Sequence, residues 1–203
     1  MATLLAYSFA SNLNPTTTAA NVSGGAITSS GVPITCVQYS GVLVLGTPAA
    51  STSCKSAVEA VSVGNYAYFT LTANSGYVLN ISSLDFKVTR PGTSDSPRGW
   101  VVRSSVDSYG TNIATEDVTS TNPTYTSKSL NLSGASYQGL SSITLRIYEY
   151  AQAEDTELFF DNLTETYNPS AKYIVSNGYH WTEFSVQLPD SLQGMLIATT
   201  GQT

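Results

Sequence analysis

The stretch YAYFTLTANSGYVLNISSLDFKVTR, residues 66–90, decides the fold class. Tyr66 to Ala73, Val78 to Ile81 and Leu84 to Arg90 are short runs rich in aromatic and β-branched residues. They are separated by Asn-Ser-Gly and Ser-Ser, whose small polar side chains favour turns. Gly99 to Ser105, Tyr125 to Leu132, Ile143 to Tyr150 and Glu157 to Thr166 extend the series downstream, with Pro-Gly-Thr-Ser, Ser133-Gly134 and Glu154-Asp155 as breaks. Upstream, Leu4 to Phe9 is a first strand, followed by the turn-rich Ser11–Pro15 and a Thr/Ala/Gly/Ser stretch through Gly31. That stretch predicts an ordered surface loop with room for one short strand. Ile34 to Tyr39 and Val42 to Leu45 alternate weakly, Gly46 to Ser53 reads as a loop, and Val58, Val61 and Val63 form a further apolar patch.

No segment carries a long helical period; a short turn at Tyr137 to Leu140 is the one local exception. Many short strands without intervening helices predict an all-β, two-sheet antiparallel β-sandwich of jelly-roll type. In such a topology the first and last strands are neighbours, which places Leu4–Phe9 beside Leu158–Leu163. Residues 1–167 then form the sandwich domain. Residues 168–203, beyond Asn168-Pro169, form a C-terminal extension or arm, too apolar for a solvated tail and too short for its own core.

Composition narrows the function classes. The chain has 203 residues, 41% hydrophobic and only 11% charged, with a net charge of −6. A chain of this size buries about 70% of its unfolded surface, so disulfides are optional. Cys36 and Cys54 either pair, closing a loop worth about 3 kcal/mol, or remain buried thiols. The eight cations are scattered, against the clustered Lys and Arg that phosphate contact needs, so no nucleic acid is expected as a partner. No apolar run is long enough to enter a bilayer, and the N-terminal MATLLAYSFA lacks the basic residues and apolar length of a signal peptide.

From Tyr68 to Asn162 the chain resembles the extracellular β-sandwich domain of bacterial PEP-CTERM sorted proteins. The resemblance rests on Tyr68-Phe-Thr-Leu-Thr-Ala-Asn-Ser-Gly-Tyr77, Leu84-Asp85-Phe86, Trp100-Val-Val-Arg-Ser-Ser-Val-Asp-Ser-Tyr109, Leu145-Arg-Ile-Tyr148 and Phe160-Asp161-Asn162-Leu163. It implies a sandwich on a surface. With neither a signal nor a sorting tail in the chain, the reading turns to a virion: a bacteriophage capsid decoration or cement protein. Its partners are then the capsid protein and other copies of itself, with residues 168–203 as the gripping arm. The alternative is a secreted carbohydrate-binding or adhesion module.

Candidate sites follow from these readings. Tyr179, His180, Trp181 and Phe184 lie in the extension, where a buried aromatic would anchor an interface. For carbohydrate, Arg103 and Asp107, with Asp85, could pair with sugar hydroxyls, and Trp100 with the 13 Tyr residues could supply a stacking platform for sugar rings. The plainer readings make Arg103 a bridge that holds its loop and Trp100 a core residue. Asp161 and Asn162, with Asn12 and Asn14, offer too few oxygens for calcium, so no metal and no cofactor is expected. Glu149, Glu154, Asp155 and Glu157 form an acidic group read as a solvated turn, with no carboxylate placed on a facing strand for glycoside hydrolysis. His180 has no triad partner, and no catalytic role is assigned.

Overall fold

A computed structural model describes residues 2–30, 35–39, 41–46, 54–64, 66–92, 97–152, 157–167, 171–172 and 185–186. Alternation of apolar and polar residues forms two packed antiparallel sheets. The strands in chain order are β1 (Ala2–Tyr7), β2 (Thr17–Thr18), β3 (Val22–Gly24), β4 (Thr28–Ser29), β5 (Thr35–Tyr39), β6 (Val42–Gly46), β7 (Tyr66–Ala73), β8 (Ile81–Thr89), β9 (Arg98–Ser104), β10 (Ala114–Asp117), β11 (Thr126–Asn131), β12 (Ser142–Ala151) and β13 (Glu157–Tyr167). Beyond them a two-residue ladder joins β14 (Ala171–Lys172) to β15 (Ser185–Val186).

Among the described residues one sheet has seven strands, in the order β11-β8-β13-β1-β2. The first half of β13 also pairs with β6, and β6 with β5. The other has six, in the order β10-β9-β12-β7-β3, with β4 sharing the outer edge of β7. First strand and last are neighbours as expected, but β1 lies against the second half of β13, with Tyr7 opposite Leu163 and Ala6 opposite Thr164, whereas Leu158–Phe160 pair with β6. A register shift between Asp161 and Thr164 lets Phe160 and Leu163, three residues apart, both face the core. A second shift in β1 buries the adjacent Leu4 and Leu5.

Inward residues of both sheets fill one core. Phe86, Val88, Phe160 and Leu163 come from the seven-stranded sheet, and Phe69, Leu71, Trp100, Val102, Leu145 and Ile147 from the six-stranded one. Aromatic rings join the layers edge to face, Phe86 on Trp100 at 5.1 Å and Tyr7 on Phe69 at 5.5 Å between centroids. Where the edge strands β10 and β11 of the two sheets approach, Lys128 and Glu116 form an ion pair. Charge on both edges disfavours further strand addition there.

Three expectations need correction. The Val58–Val63 patch is a helix, α1 (Ala57–Val63), started by the Ser56 hydroxyl accepting from the Glu59 amide and stopped by Gly64 at φ 77°. The Glu59 carboxylate reaches back to the Lys55 amide at 2.8 Å, so the Ser56-x-x-Glu59 spacing was a legible start signal. Val78–Ile81 is no separate strand; Leu79 makes only an isolated bridge with Leu140 before β8 begins. Residues 11–31 hold three short strands rather than one, because β1 and β7 each offer an edge that they pair with. Cys36 and Cys54 are free thiols.

Candidate functional site

The outer face of the six-stranded sheet is where polar and aromatic side chains converge. Register places Tyr66 opposite Tyr148, Tyr68 opposite Arg146, Thr70 opposite Thr144 and Thr72 opposite Ser142. On the other side of β12, Arg103 lies opposite Arg146 and Val101 opposite Tyr148. Because side chains alternate along a strand, all of these share one face. The hydroxyls of Thr70 and Thr144 bond at 2.8 Å and those of Thr72 and Ser142 at 3.2 Å, so one end of the face is a neutral hydroxyl ladder.

The opposite end is roofed by α1. Ala60 packs on Val101, Tyr148 and Tyr150, with Ala57, Val61 and Tyr66 around them. Tyr150 donates to Asp117 at 2.6 Å, tying β10 to β12. Burial first, then this bond, pushes its phenol well above the usual tyrosine range, so it stays neutral. Gly99 lies opposite Tyr150, and a Cβ there would collide with the Tyr150 ring and the Glu116 carbonyl.

Between the ladder and the helix lies Arg146. Its guanidinium carbon is 4.1 Å from the Tyr66 ring centroid and 3.4 Å from that of Tyr109. Burial works against its charge, but the Tyr148 hydroxyl and the tyrosines around it outweigh that and hold its pKa above the ordinary arginine value. Nε of Arg146 is buried without a hydrogen-bond partner among the described residues.

Tyr109 reaches this position from the loop after β9. A 3-10 turn at Ser105–Asp107 is followed by Ser108 at φ 58° and Tyr109 at φ 62°, a conformation that L residues rarely adopt. The loop is over-determined. Tyr109 N donates to the Ser104 carbonyl at 2.9 Å. Arg103 donates through Nη1 to the Tyr109 carbonyl and through Nε to Asn112 Oδ1, both at 2.7 Å. Asp107 accepts from the amides of Gly110 and Thr111 and from the Thr111 hydroxyl. The Thr111 hydroxyl bond is the main cause that lowers the Asp107 pKa, partly opposed by burial. These bonds hold Ser108 and Tyr109 in the left-handed region.

The sequence candidates fall differently. Trp100 is 1% exposed inside the core against Phe86, so it has no ring face to offer a sugar. Arg103, near the end of β9, and Asp107, in the loop that follows, together hold that loop, but Asp85 lies on the other sheet, bonded by Ser83 at 2.7 Å, so the proposed trio does not assemble. Glu149 is 2% exposed, on the inward side of β12 and diagonal to buried Arg98, which corrects its reading as a solvated turn charge. Its place follows from the two-residue period, which continues the Leu145–Ile147 face.

Asn14 N donates to Asn12 Oδ1, a local turn. Among the described residues no group of three His, Cys, Asp or Glu side chains could hold a metal, and no helix is long and apolar enough to cross a membrane. Tyr179, His180, Trp181 and Phe184 lie outside the described residues, as do Glu154 and Asp155 and the side chains of Glu157 and Asn162. The gripping role expected of residues 168–203 in the particle-surface reading therefore falls outside the described residues.

Sequence reasoning offered the tyrosines as a group without singling out Tyr66, Tyr68 or Tyr109, and gave Arg146 no role. The Tyr66-x-Tyr68 spacing within a strand was the available signal, since residues two apart share a face.

No protein-family model matches the chain, and no curated protein matches it in sequence. Solved structures similar to it include the K3 cleaved adhesin domain of Lys-gingipain from Porphyromonas gingivalis W83, at 10% identity over 81% of this chain and 99% of that one, with a TM-score of 0.46. The CBM22-1 xylan-binding domain from Paenibacillus barcinonensis Xyn10C shares 15% identity over 82% and 94%, with a TM-score of 0.39. A CBM4 structure shares 12% identity over 70% and 77%, with a TM-score of 0.40. Likeness at this level leaves the functional reading to the chain's own residues.

Proposed function

We propose that this chain is a non-catalytic binding module that contacts polysaccharide with the outer face of its six-stranded sheet. The observation that supports it is the preformed cluster of Tyr66, Tyr68, Tyr109 and Arg146 beside the Thr70–Thr144 and Thr72–Ser142 ladder. Sugar rings present apolar faces and hydroxyl edges; tyrosine rings match the first and a hydroxyl ladder the second. The loop that holds Tyr109 is ordered by its own bonds, so little ordering is left to be done on contact.

Affinity electrophoresis through gels cast with a panel of neutral and acidic polysaccharides tests this reading. At least one polymer should retard the chain, and Tyr68→Ala should weaken that retardation about tenfold, the loss expected of one central aromatic contact. Retardation by no polymer, or retardation that Tyr68→Ala leaves unchanged, would refute the assignment of this face.

A further inference from the structure

Arg103 and Arg146 stand directly opposite one another on adjacent strands. Like charges in that position repel, and sheets normally avoid them. No carboxylate is bonded to either guanidinium among the described residues: Arg103 is held by Asn112 Oδ1 and a carbonyl, Arg146 by tyrosines. The carboxylates around the face are engaged elsewhere, Asp107 by Gly110 and Thr111, Glu59 by the Lys55 amide and Asp117 by Tyr150. In a chain with net charge −6 and four arginines, of which Arg90 and Arg98 are buried, the other two are set side by side with no acid bonded to them among the described residues.

We infer that the Arg103–Arg146 pair, flanked by Tyr66, Tyr68 and Tyr109, takes the carboxylate of a uronate residue in an acidic polysaccharide. This deepens the proposed function and rests on it. Each guanidinium has its plane fixed, Arg146 by two rings and Arg103 by two hydrogen bonds through Nε and Nη1, which leave its Nη2 out of both. Fixed planar donors suit the two oxygens of a carboxylate. The Thr and Ser ladder next to the pair is neutral, so the chemistry fits uronates interspersed with uncharged sugars. A densely charged polyanion would meet a protein of net negative charge with one cationic pair on this face among the described residues.

The test uses the full chain and, for each uronate polymer in the gel panel (polygalacturonate, alginate, hyaluronan and xanthan), its carboxyl-reduced counterpart; dextran sulfate is the sulfate control. At least one uronate polymer should retard the chain about tenfold more strongly than its reduced form, the size of one charge-assisted contact. Rising salt should erode that preference, and Arg146→Gln should abolish it together with its salt dependence. Arg146→Lys, which keeps charge but loses the fork, should recover only part. Because Arg103 also supports the loop, Arg103→Gln is read together with its thermal unfolding and near-UV dichroism, and Arg146→Gln carries the decision.

Equal retardation by the reduced polymers, retention by dextran sulfate alone, or an Arg146→Gln variant that keeps the preference would each overturn the inference. If neutral polymers bind with dependence on Tyr68 but not on Arg146, the carbohydrate-binding face stands and the uronate assignment falls. If no polymer binds, both fall.

Discussion

Replacing Tyr109 by alanine and by glycine separates two effects that the loop combines. Tyr109 sits at φ 62° with its ring 3.4 Å from the Arg146 guanidinium. Both substitutions remove the ring, a half-buried cation–π contact worth about 1 kcal/mol. They differ in the backbone. A left-handed conformation costs an L residue about 1–2 kcal/mol, which alanine still bears and glycine does not. Glycine in turn loses about 0.4–1 kcal/mol through the greater freedom of its unfolded chain. The glycine variant should therefore be the more stable of the two by roughly 0.5–1 kcal/mol, the reverse of the order at an ordinary loop position. Urea unfolding followed by tyrosine and tryptophan fluorescence reads this directly. With a slope of about 2–3 kcal/mol per molar, the midpoint of the glycine variant should lie about 0.3 M above that of the alanine variant at unchanged slope. An alanine variant as stable as the glycine variant, or more so, would mean that the loop holds no backbone strain at Tyr109, and the view of it as a platform built in advance would fail.

Three further outcomes follow from the packing. Gly99→Ala should lose about 1–3 kcal/mol in urea unfolding, because the added methyl meets the Tyr150 ring and the Glu116 carbonyl; a loss within 0.5 kcal/mol would show that β9 and Tyr150 can part freely. Trp100→Ala should cost about 3–5 kcal/mol as a core cavity, whereas unchanged stability with lost polysaccharide retardation would return Trp100 to the surface. Burial pushes the Cys36 thiol up to about 11, above its unfolded value, so the neutral thiol is favoured in the native state. The stability this adds is present below the unfolded pKa and lost as pH rises toward 11. Cys36, partly buried, should accordingly react more slowly with a disulfide reagent at pH 8 in the native protein than in urea; an equal rate would contradict its shielding.

The fold class was written in residues 66–90 and their continuations, because a two-residue period with turn chemistry at its breaks is a local property of the chain. That the first strand lies beside the last followed from topology alone, but the register did not: β1 meets Leu163–Tyr167, while Leu158–Phe160 pair with β6. Helix α1 was legible too, in Ser56-x-x-Glu59 and Gly64, although its valines are poor helix formers; its packing over Val101 and Tyr148 outweighs that preference. Alternation says that Trp100, Val102 and Leu145 share a side with their strand neighbours. Which side faces the core depends on the opposing sheet. The pairing of Arg103 with Arg146 depends on register between β9 and β12, set some forty residues apart by the packing of Val102 and Ile147 against the rest of the core. Tyr109 needed the loop bonds of Arg103 and Asp107 to turn it onto that pair. Sequence by itself determined that there would be two sheets with polar outer faces. Tertiary structure alone decided which residues meet on them, because strand register is a non-local choice made by the core.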